Sequence, residues 1–162
     1  MSRARTATGQ ENRMDLTRNE TIMKYAGLAY AVMFIVAAAV FVILPGPLFA
    51  VMNAVSITFF PSLPMASDSG KFWLSLTVSM MATITVLSLL IYKDVKKNYR
   101  MAVPLVTAKF TSSLFGLGFF AAGCVFDGTG WNTLANLIIL LSDFPLGVLM
   151  LVLYRMVAKE HA

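Results

Sequence analysis

Four apolar runs organise this chain, and polar or turn-forming residues separate them. The first, residues 25–44 (YAGLAYAVMFIVAAAVFVIL), stops at Pro45-Gly46-Pro47, because proline lacks the helix N–H and restricts the residue before it. The second covers 72–92, the third 102–125 and the fourth 132–154. Pro104 falls in the first turn of the third run, where a missing N–H has no intrahelical partner to lose. A helix rising ~1.5 Å per residue crosses a hydrocarbon core ~30 Å thick in about 20 residues. The pattern therefore predicts an all-α integral membrane protein, a four-transmembrane-helix antiparallel bundle forming a single domain over 25–155.

The intervening segments complete this picture. Residues 1–24 are polar and mixed in charge, which predicts a disordered tail or a weak helix after Asp15. This lead is longer and more polar than that of a secretory signal, and the run after it has the length of a span. Between the first two spans, loop 45–71 contains LFAVMNAVSITFF, which is apolar but too short to cross as a helix. It reads as an interfacial helix or a lid over the bundle mouth, with a re-entrant element as the alternative. Asn53 and Ser56 would share one face of it. Asp127-Gly128-Thr129-Gly130 is a turn-forming run, so spans three and four are expected to form a tight hairpin.

Charge fixes an expected orientation. Arg3, Arg5, Arg13, Arg18 and Lys24 precede span one, while Lys93, Lys96, Lys97 and Arg100 lie between spans two and three. Arg155 and Lys159 lie at or beyond the end of span four, and the remaining two connections hold only Lys71. Positive charge is retained on the cytoplasmic side, so both termini are expected there, with 156–162 as a short tail. Trp73 and Trp131 would then sit at the outer interface. The expected location is the inner (plasma) membrane of a bacterial cell, with an organellar membrane left open.

Composition agrees and narrows the chemistry. The chain is 58% hydrophobic and 13% charged, with a mean hydropathy of +0.75, far from the balance of a soluble domain. The net charge of +5 is concentrated beside the spans, and no zinc-finger or RNP-like run accompanies it, so no nucleic-acid partner is expected. Cys124 is the only cysteine and His161 the only histidine. A dithiol relay and a haem held by paired intramembrane histidines within this chain are thereby excluded. The eleven methionines read as packing residues. No P-loop, nucleophile elbow, zinc motif or dinucleotide fingerprint is present. We expect no cofactor, no metal and no catalytic residue.

Two charges interrupt the apolar pattern. Lys109 lies in the third run and Asp143 in the fourth, although a charge near the bilayer centre costs about 2.5–3.5 kcal/mol on insertion scales. Lys109 is roughly 13 Å along its helix from Arg100, and Asp143 roughly 18 Å from Arg155. A lysine stem spans the difference, which predicts an intramembrane ion pair; the same stem would also let Lys109 snorkel towards the headgroups. On span three, Lys109, Ser112, Ser113, Gly116, Phe120 and Gly123 share a side; on span four, Asn136, Asp143, Gly147 and Tyr154 do. Span two carries a hydroxyl stripe at Ser75, Ser79 and Thr83, with Thr77, Thr85 and Ser88 on the other flank. Pro145 deprives the Leu141 carbonyl of its helical donor, and the Lys109 ammonium has donors for both Leu141 and Asp143.

The pair has a structural reading, a lock between two helices, and a functional one, a proton or ionic-substrate site. The first leads to a non-enzymatic accessory, assembly or scaffold subunit, partnered by the bilayer and by other membrane subunits or further copies of the chain. The alternative is a small proton-coupled transporter or channel using Asp143 and Lys109. An intramembrane enzyme acting on lipid is a third reading, weakened by the absence of a second catalytic carboxylate within the spans. The four spans resemble those of small four-helix multidrug exporters, but these are shorter, and their hallmark carboxylate in the first span has no counterpart here. The basic loop YKDVKKNYR (92–100) is the topology signal, and anionic lipid is a further candidate ligand for it.

Overall fold

The first helix starts at a capping box. Thr17 Oγ1 accepts the amide of Glu20 at 3.1 Å, and the Glu20 carboxylate accepts the amide of Thr17 at 2.8 Å. Two backbone donors with no intrahelical partner are satisfied this way. Helix α1 therefore spans Arg18–Ile43, starting well before the apolar boundary at Tyr25. Residues 18–24, assigned from their polarity to the tail, are helical, and Glu20 and Met23 are buried. The computed structural model describes residues 16–63, 65, 71–126 and 132–162.

Pro45 occupies the first turn of α2, Pro45–Phe59, so the proline that ends one helix opens the next. This short apolar helix lies in the loop between the first two spans. Helix α3 covers Lys71–Lys93. Asp94 then caps α4, Val95–Asn98, by accepting the Lys97 amide. A 3₁₀ turn at Tyr99–Met101 leads into α5, Ala102–Val125. The basic connection 94–101 is therefore itself helical. Helix α6 runs over Leu134–Glu160 with Pro145 inside it, several residues beyond the boundary expected at Tyr154. Trp131 and the Asp127–Gly130 turn fall outside the described residues, as does the side chain of Trp73.

All regular structure among the described residues is helical, and four helices are long and apolar enough to cross a membrane. Helix α1 packs along α3 and α5 along α6, and the two pairs meet chiefly where α1 touches α6. Close approach within each pair depends on glycine. A Cβ on Gly27 would lie 2.9 Å from the Ser88 carbonyl oxygen, and one on Gly116 would lie 3.0 Å from that of Asn136.

The core is lopsided. Met23, Ile91, Val95, Ala102, Leu105, Met150 and Val157 are fully enclosed around the end that carries α4. Towards the other end, Ile35, Val36, Val42 and Ile43 of α1 remain exposed. Apolar surface of this kind requires lipid or another apolar helix as its surroundings.

Candidate functional site

Lys109 lies two turns into α5 and is 2% exposed. Its Nζ donates to Asp143 Oδ1 of α6 at 2.6 Å. The second carboxylate oxygen, Oδ2, accepts from the Ser112 hydroxyl. Both oxygens of the acid are therefore occupied, one by a charge and one by a neutral donor. This double satisfaction offsets part of the desolvation of a buried carboxylate.

Gly147 allows the two helices to close at this point. It is one turn beyond Asp143, and a Cβ there would stand 3.1 Å from the Lys109 Cβ and 3.3 Å from the Phe110 ring. Phe110 in turn packs against Phe144, with ring centres 5.7 Å apart. The lysine stem thus lies against the bare backbone of Gly147, with the Phe110 ring beside it.

A third helix completes the site. The Lys109 Nζ lies 4.0 Å from the centre of the Phe34 ring of α1, a cation–π arrangement that favours a desolvated ammonium. One turn earlier, the Tyr30 hydroxyl donates to the carbonyl of Leu146, next to Pro145, at 2.5 Å. Tyr30 and Phe34 lean on each other with ring centres 6.0 Å apart. The sequence reading missed both residues. Their signal was a tyrosine inside an apolar run, whose hydroxyl needs a partner when buried, and a second aromatic four residues later on the same face.

The remaining expected site residues separate into two groups. Ser112, Asp143, Lys109 and Gly147 meet at the pair. Ser113, also buried, donates to the Lys109 carbonyl of its own helix at 2.8 Å. Asn136 lies where Gly116 approaches α6, away from the pair. Leu141 requires a correction: Lys109 is not hydrogen-bonded to its carbonyl, and the Leu141 side chain is 70% exposed on the outside of α6. The ammonium points inwards to Asp143 and Phe34, whereas Leu141 lies two residues from Asp143 and so on another face.

Three hydroxyls of α3 turn back to their own helix and away from the pair. Ser79, Thr83 and Thr85 each bond a carbonyl of their own helix, as hydroxyls in apolar surroundings commonly do. Ser88 is buried beside α1, and its hydroxyl has no partner among the described residues.

A second polar cluster ties α1, α4 and α6 together at the end opposite α2. Glu20 is 2% exposed, with His161 Nε2 at 2.9 Å from one oxygen and Lys96 Nζ at 3.9 Å from the other. The His161 ring stacks on Tyr99, with centres 5.0 Å apart. Glu160 accepts from the Thr17 hydroxyl at 2.6 Å and from the Asn19 amide at 2.5 Å. The sequence placed these residues in two separate tails and in the basic loop 92–100, and only the packing of α1, α4 and α6 unites them. Among the described residues, no group of three or more His, Cys, Asp or Glu side chains is arranged to hold a metal ion. Comparison with known protein families, with curated proteins and with solved structures finds no match to this chain.

Proposed function

We propose that this chain is a non-enzymatic membrane component, an accessory, assembly or scaffold subunit, whose transmembrane helices are locked together by Lys109 and Asp143. The observation that supports this most is the closure of the pair. Asp143 has both oxygens engaged, the ammonium is covered by Phe34, and Gly147 closes the backbone over the lysine stem. Such a pair serves as a three-helix clasp. The exposed apolar surfaces of α1 and α3 are available to other helices of a complex, to a second copy of the chain or to lipid. In this reading the chain resides in the inner membrane with both termini cytoplasmic, as its distribution of basic residues favours.

The test is a charge series, K109M, D143L and the double variant, read as folded protein recovered in mild detergent and as partners retained on purification. A structural clasp requires both single variants to lose folded protein, by about 3–5 kcal/mol, and the double to recover it along with the partners. A double variant that remains unfolded would contradict the clasp. A fully functional, partner-free monomer would contradict the subunit role.

One observation favours the transporter reading: the Asp143 side chain retains 15% exposure, leaving its carboxylate partly reachable. Proton-coupled flux in liposomes that D143N abolishes, without loss of folded protein, would favour that reading over the clasp.

A further inference from the structure

Helix α6 is longer than a bilayer crossing requires. The 27 residues of Leu134–Glu160 extend roughly 40 Å against a hydrocarbon core of ~30 Å. Measured from Gly147 at its middle, Arg155 lies roughly 12 Å and Lys159 roughly 18 Å along the axis. With Gly147 placed at the bilayer centre, the boundary between acyl chains and headgroups, roughly 15 Å out, falls between these two residues.

Val152, Arg155, Met156 and Lys159 occupy one face at three- and four-residue spacings and line an open concavity of about 430 Å³. All four are exposed. Val152 lies deepest, Met156 lies level with Arg155, and Lys159 lies furthest out, so apolar and cationic side chains alternate along the concavity.

Among the described residues, no carboxylate or ring engages the two cations of this concavity, unlike several others at the same end. Lys24 lies over the Tyr92 ring, Lys96 is drawn towards Glu20, and Arg100 donates to the Tyr99 hydroxyl. Neither Arg155 nor Lys159 is paired with a carboxylate among the described residues. The carboxylate next in sequence, Glu160, is turned away and held by Thr17 and Asn19 of the α1 start. Lys159 is thus left at headgroup depth, and Arg155, a few ångströms inside the boundary, reaches it by extending its side chain.

We propose that this face of α6 binds an anionic phospholipid. Its phosphate sits between Arg155, whose planar fork matches two phosphate oxygens, and Lys159, which acts as a point charge. One acyl chain lies over Val152 and Met156. The assignment requires only that α6 crosses a bilayer; it is independent of whether Lys109 and Asp143 form a clasp or a transport site.

The experiment is native mass spectrometry of the purified full-length chain in mild detergent, titrated with phosphatidylglycerol or phosphatidylcholine of the same acyl length. The wild type should retain phosphatidylglycerol selectively, and R155Q/K159Q should weaken that retention by about tenfold or more. The variant K93Q/K97Q removes equal charge from exposed positions outside the concavity and should leave retention unchanged. Circular dichroism establishes that both variants are folded, as expected for exposed side chains. Inorganic phosphate and glycerol phosphate, added as competitors, should fail to displace the lipid.

The proposal is overturned if R155Q/K159Q retains the lipid. It is also overturned if both double variants lose it equally, because the attraction is then diffuse, or if free phosphate displaces it at matching concentration, because the site is then an anion site without a lipid component.

Discussion

The ammonium of Lys109 sits 4.0 Å above the Phe34 ring, and through this contact α1 joins a charged pair otherwise confined to α5 and α6. A cation–π contact is worth about 0.5–2 kcal/mol, more when desolvated. Phe34→Leu should therefore destabilise the wild type by that amount in addition to its packing loss. In the K109M/D143L background only the packing loss should remain. Thermal or denaturant unfolding in detergent measures both; equal costs in the two backgrounds would show that the ring merely fills space.

Ser112 and Ser113 are neighbours with different duties. Ser112 bonds the Asp143 carboxylate, while Ser113 returns to the Lys109 carbonyl. Ser112→Ala should cost about 1–3 kcal/mol by removing a partner from a partly buried acid. Ser113→Ala should cost less than about 1 kcal/mol, since that carbonyl retains its place in the helix. Unfolding midpoints of the two variants in the same detergent provide the comparison; a larger loss for Ser113→Ala would contradict this assignment.

Gly27 marks a close approach of α1 to α3. An alanine Cβ there would meet the Ser88 backbone oxygen at 2.9 Å, and backbone has no rotamer by which to move aside. Gly27→Ala should destabilise by about 1–3 kcal/mol and move the two helices apart, which cysteine cross-linking across α1 and α3 would record. Gly118 has open space around it, so Gly118→Ala should be neutral or slightly stabilising, because alanine is the better helix former.

The first turn of α1 is capped by polar side chains. Thr17→Ala removes the cap on Glu20 and the hydroxyl bond to Glu160 together. The cap by itself is worth about 1 kcal/mol. Amide exchange across residues 18–23 should accelerate in this variant, with little change in α5. Unchanged exchange would mean that the packing of Met23 and the His161 contact suffice to hold the turn.

Cys124, the single cysteine, is exposed near the end of α5 and therefore reports orientation directly. If the basic connections face the cytoplasm, a membrane-impermeant maleimide applied to intact cells should label Cys124. In a C124S background, a cysteine introduced at Ala162 should be labelled only after the membrane is permeabilised. The reverse pattern would invert the proposed topology.

The span pattern was legible because it is local. Length, apolar content and proline placement decide where a helix is able to cross a membrane, and the limits of α3 and α5 lie within a residue of the hydrophobic boundaries. Hydropathy was a poorer guide to α1 and α6, whose polar ends continue as helix. There the capping box at Thr17 and Glu20, together with the contacts of Glu160 and His161, outweigh polarity. Lys109, Ser112, Asp143 and Gly147 could be grouped from phase, because helical periodicity places residues three and four apart on one face.

Phase cannot tell which helix a face will meet. That α1 lies along α3, that it also reaches α6, and that Phe34 rather than the Leu141 carbonyl receives the lysine are results of tertiary packing. So is the meeting of Glu20 with His161, 141 positions apart. The sequence alone determined how many helices are long and apolar enough to cross and where their charges lie, since both follow from composition over a short window. The partners of those charges were decided only when the helices settled together. Glycines at Gly27, Gly116 and Gly147 set how closely each pair approaches, and a few tenths of an ångström in that approach separate a bond from a clash.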